Sequence, residues 1–63
     1  MILSPYWRAE VYLSEEQQNL LNQPAKVFAG IYAKRENAEH AAQRKCQRMK
    51  GDGFKVHCLN AIH

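Results

Sequence analysis

Five side chains in this sequence belong to types that bind metals or attack electrophiles: His40, His57, His63, Cys46 and Cys58. Zinc chemistry needs such groups in close pairs, C-x-x-C or H-x-x-x-H, so that one turn delivers two ligands together. No such pair occurs here. His57 and Cys58 are sequence neighbours, and neighbours on a strand point to opposite faces. No metal site and no cofactor are therefore expected. Nucleophilic catalysis by Cys58 would need a base and a cleft. The 63 residues hold no phosphate loop, carboxylate pair or triad pattern, so the chain reads as a non-enzyme without a small-molecule substrate.

The basic residues Arg44, Lys45, Arg48, Lys50 and Lys55 are the best-defined functional candidate. Arg44 and Arg48 are four apart and share a helix face, with Lys45 beside them. Such a patch neutralises phosphates and points to nucleic acid. The competing account is a solvated helix end, where cations are favoured by the helix dipole. A second candidate surface gathers Tyr6, Arg8, Tyr12, Phe28 and Tyr32 on the second face of a sheet. Exposed aromatics there either stack bases, as in sheet-based RNA binders, or pack against a protein partner or a second copy of the chain. Binding to a protein is the favoured reading of this surface, and nucleic-acid binding through the basic helix face is the alternative.

Composition narrows the class. With 46% hydrophobic and 24% charged residues the chain is globular rather than disordered. Its net charge of +3 is compatible with nucleic acid or an acidic protein. A single domain spanning residues 1–63 is expected. A chain this short buries only about 60% of the surface it exposes when unfolded, so self-association as a homodimer is expected to complete the core. No window approaches the roughly eighteen apolar residues of a membrane span. The opening Met-Ile-Leu-Ser-Pro-Tyr-Trp-Arg lacks the basic and apolar regions of a secretory signal. The chain reads as a complete small cytoplasmic protein, with Cys46 and Cys58 as reduced, buried thiols.

The elements that must position these residues follow from periodicity. From Tyr6 to Leu13 the residues alternate, with Trp7, Ala9, Val11 and Leu13 on the core side and Tyr6, Arg8, Glu10 and Tyr12 on the other. Ser14-Glu15-Glu16-Gln17 has the form of a capping box opening a short helix near residues 15–22. Leu20 and Leu21 would dock that helix, and Asn22-Gln23-Pro24 would stop it. A second strand, Val27 to Ala33, alternates Val27, Ala29, Ile31 and Ala33 with Phe28, Gly30 and Tyr32; Gly30 marks a close approach. A long helix over residues 36–50 has a stripe of Ala38, Ala41, Ala42, Cys46 (or Lys45) and Met49, with Gly51 at its C′ position. The last strand, Phe54 to Ile62, buries Phe54, Val56, Cys58 and Ile62 and exposes Lys55, His57 and His63.

Strand–helix–strand order predicts a right-handed crossover with the second and third strands parallel. The first strand can pair antiparallel with either of them, and a place between them would close the sheet. The expected fold is α+β in β-α-β-α-β order. It has a three-stranded sheet, one long helix on one face, and a short helix between the first two strands.

Residues 27–62 resemble one half of a SPOR domain, the peptidoglycan-binding module of bacterial division proteins. Gly30, Ala33, Asn37-Ala38-Glu39 and Gly53-Phe54-Lys55-Val56 carry the likeness. It implies a strand–helix–strand half-module and cell-wall binding, with no binding residue carried over. In size, basic pI and lack of enzymatic motifs the chain is also similar to the small accessory proteins of temperate, lambdoid-type phages. That similarity implies a modulator of host or phage processes that acts by binding.

Overall fold

Alternating and helical periodicities yield β1 (Leu3–Tyr12), α1 (Glu15–Leu21), β2 (Lys26–Tyr32), α2 (Arg35–Met49) and β3 (Gly53–Ile62). The structure is a computed structural model that describes residues 3–62, and side chains from residue 5 to residue 59. The strands form one sheet in the order β2-β1-β3. Because β1 is antiparallel to both neighbours, β2 and β3 run in the same direction without touching, and α2 connects them across β1. This is the expected α+β arrangement, and of the places open to the first strand it takes the central one.

β1 starts earlier than the alternation alone predicts, running through Pro5. β2 pairs only with residues 7–12 of β1. The segment around Pro5 therefore has β3 as its single neighbour, which is where a residue with no N–H is tolerated. This two-stranded extension lengthens the molecule: its radius of gyration is 13.0 Å, against about 11 Å for a compact chain of this length.

The core is thin and built from small residues. Ala9, Ala38 and Ala42 are fully buried against one another, with Trp7, Ala29, Tyr32 and Val56 packed around them. Alanines facing each other let α2 lie close to β1. Val11 is the largest fully buried side chain, contributing about 1.5–3 kcal/mol by its removal from water. Phe54 and Cys58 lie on the α2 side with Val56, through their pairing with Val11, Trp7 and Ala9. They remain exposed rather than buried, because one helix cannot roof a long edge strand. Both cysteines are free, Cys46 half-buried and Cys58 exposed. The side chain of Ile62, and His63, lie outside the described residues.

The helix ends follow the predicted chemistry only in part. Ser14 caps α1 by accepting from the Gln17 amide. The Gln17 side chain does not return to close a capping box. Its Nε2 donates to the Met49 carbonyl at 2.6 Å, tying α1 to the end of α2. That bond, rather than Leu20 and Leu21, docks the short helix. The two leucines stay exposed. Asn22 closes α1 in the left-handed region. At the end of α2 the left-handed residue is Lys50, with φ 53°, and not Gly51. Gly51 is required for another reason: a Cβ there would sit 2.8 Å from both the Tyr12 carbonyl oxygen and Val11 Cγ1. Glycine is there for close approach, and its freedom of φ goes unused.

Candidate functional site

β2 holds the local irregularity that shapes both candidate surfaces. Its register against β1 shifts between Ala9 and Glu10: Phe28 faces Glu10 and Gly30 faces Ala9, leaving Ala29 as the extra residue. Gly30 makes this bulge with φ +116°, a value that side chains disfavour. One extra residue reverses the alternation that follows it. Beyond the bulge, Tyr32 pairs with Trp7 and packs on the α2 side, whereas Ile31 pairs with Arg8 on the other. The strict alternation read from the sequence placed these two residues the wrong way round. The close approach at Gly30 is real and comes from Tyr32, whose hydroxyl oxygen would lie 2.7 Å from a Cβ there. That hydroxyl donates to the Ala29 carbonyl at 3.3 Å.

The sheet face opposite α2 is built from cross-strand pairs. Arg8 lies between Ile31 and His57, Glu10 between Phe28 and Lys55, and Tyr12 beside Lys26, while Tyr6 pairs with Leu59. With α1 fastened to the end of α2, this face has no helix over it. Phe28, Ile31 and Leu59 are 48%, 51% and 40% exposed. The charged groups between them are organised by Glu10. His57 Nε2 is 2.7 Å from Glu10 Oε1, and Arg8 Nε is 3.4 Å from Oε2. Partial burial pushes the Glu10 carboxyl up, but the hydrogen bond and charge of His57, with the charge of Arg8, outweigh it. The group sits below its ordinary value. The Arg8 guanidinium also lies 4.8 Å from the Phe28 ring centre, and Lys26 lies 6.0 Å from that of Tyr12. Four of the five predicted members of this surface, Tyr6, Arg8, Tyr12 and Phe28, thus stand together. Tyr32 does not join them, and Ile31 and Leu59 complete the set.

The predicted basic set divides. Arg44, Lys45 and Arg48 line a groove of about 270 Å³ between α2 and β2, together with Ala29, Tyr32 and Ala41. Lys50 ends the helix and is not part of the lining. Lys55 pairs with Glu10 on the opposite sheet face and cannot act with the helix cations. The sequence signal for the exchange of Tyr32 and Ile31 was Gly30, since a lone glycine inside a strand pattern marks a bulge as readily as a close approach.

Among the described residues no three His, Cys, Asp or Glu side chains converge as metal ligands, and no helix is long and apolar enough to cross a membrane. No protein-family model matches the chain, and neither a curated protein nor a solved structure matches it.

Proposed function

We propose that this chain is a non-enzymatic binding and regulatory protein, acting in the cytoplasm, that docks a protein partner on the open face of its sheet. One observation carries the reading: Phe28, Ile31 and Leu59 stand exposed on a sheet face that no helix covers. Exposed apolar side chains gathered on one face mark interaction surfaces. The partner's chemistry follows from the charges around them. Arg8, Lys26 and Lys55 surround a single carboxylate, Glu10, so the complementary surface is apolar with acidic residues at its rim.

One feature favours protein over nucleic acid at this face. Arg8 and Lys26 lie against the rings of Phe28 and Tyr12, so a base must displace a cation to stack there. The excess of cations opposes a homodimer stacked face to face, since two copies double it. Occupancy of a partner's surface is the mode of action that the resemblance to phage accessory proteins implies.

Selection of displayed peptides on the immobilised chain tests this reading. The expected consensus combines large apolar residues with Asp or Glu, and binding is lost on Ile31→Lys or Leu59→Lys. A consensus indifferent to both substitutions would remove the proposal. Sedimentation equilibrium at about 0.1–1 mM, well above the range of ordinary specific affinities, tests the homodimer separately.

A further inference from the structure

The groove between β2 and α2 lies on the other side of the sheet, and its electrostatics differ. Among the described residues, three cations are engaged by acids or rings, and none of the three lies in this groove. Arg35 bonds Glu39 at 2.7 Å and also lies over Trp7, Arg8 bonds Glu10, and Lys26 lies near Tyr12. Arg44, Lys45 and Arg48 have no carboxylate within salt-bridge distance among the described residues. No acidic residue lines the groove they share. Three uncompensated cations around a concavity repel one another, so an anion bound there relieves repulsion as well as gaining attraction.

The wall opposite these cations holds Tyr32, placed there by the bulge at Ala29 and Gly30. Cations along one edge and an aromatic ring along the other form the arrangement by which single strands are held, with phosphates on the cations and a base against the ring. Arg44 and Arg48 are one helical turn apart, about 6 Å along the axis, a span that suits neighbouring phosphates of one strand. We propose that this groove binds single-stranded nucleic acid, with Arg44, Lys45 and Arg48 donating to backbone phosphate oxygens and Tyr32 beside a base.

The test is fluorescence anisotropy of the full chain titrated into a labelled single-stranded oligonucleotide at several salt concentrations. Three phosphate contacts predict a slope of log affinity against log salt of about −2, from roughly −0.7 per contact. The exposed positions Arg44 and Arg48 are neutralised as R44Q/R48Q. That variant is expected to bind at least tenfold more weakly, with a slope of about −0.7. Lys55→Gln, on the opposite face, is expected to leave both unchanged. Should the double variant lose its circular dichroism, R44Q and K45Q singly, each expected to flatten the slope by about 0.7, carry the same comparison. Absence of binding by the unsubstituted chain at low salt would overturn the proposal. So would equal losses from Lys55→Gln, or a poly-glutamate peptide held as tightly as the oligonucleotide. Loss of peptide binding on Ile31→Lys with oligonucleotide binding intact distinguishes this site from the sheet face.

Discussion

His57 on β3 and Glu10 on β1 are joined diagonally across the sheet, with Nε2 2.7 Å from Oε1. The partners directly opposite them are Arg8 and Lys55. One carboxylate therefore organises the charges of the open face, and its ionisation is coupled to folding.

Because the Glu10 carboxyl is held below its ordinary value of 4.5, the folded state binds its proton less readily than the unfolded chain does. Its contribution is present in full above about pH 4.5 and is lost as the pH falls through the lowered folded value. Glu10→Gln is expected to lower stability at pH 7 by about 0.2–1 kcal/mol and to flatten the acid limb of the stability curve. Urea denaturation between pH 3 and pH 7 checks both.

Gly51 and Gly53 flank the same turn and predict opposite outcomes. A methyl at Gly51 meets the Tyr12 carbonyl and Val11, so Gly51→Ala is expected to cost about 1–3 kcal/mol. A methyl at Gly53 meets nothing within 4 Å, so Gly53→Ala is expected to stabilise by about 0.4–1 kcal/mol through the unfolded chain. Equal effects in chemical denaturation would contradict the turn geometry.

Lys50 holds a left-handed conformation at φ 53°, with its amide donating to the Cys46 and Gln47 carbonyls. Lys50→Gly keeps those bonds and removes the strain on Cβ. The expected gain is about 1 kcal/mol, read as a higher denaturation midpoint.

Ala42 is fully buried between α2 and the sheet. Ala42→Leu is expected to destabilise by about 1–3 kcal/mol, since added methylenes must push the helix off β1. Ile31→Lys, on the open face, is expected to change stability by no more than about 0.5 kcal/mol. The contrast separates core from docking surface in one set of thermal melts.

Local chemistry was enough to read several parts of the molecule. The alternation from Tyr6 to Leu13 identified the core side of β1 because a strand's side chains obey a period of two with no reference to the rest of the fold. Ala38 and Ala42, four apart, marked the buried stripe of α2 for the same kind of reason, and Arg44 and Arg48 were bound to share a helix face. Ser14 was legible as a cap because the groups it bonds are three residues away.

What tertiary structure decided involved residues far apart in sequence. Gln17 chose the Met49 carbonyl over its own cap, a competition that local sequence does not contain. The bulge in β2 was decided by pairing with β1, and it alone sent Tyr32 to the cations of α2 and Ile31 to the open face. Lys55 left the basic set because its strand register placed it opposite Glu10. The sequence by itself determined which residues could lie on one element's face. Which faces met, and so which cations kept no acid beside them, was determined by register, because one residue of slip reverses every side chain beyond it.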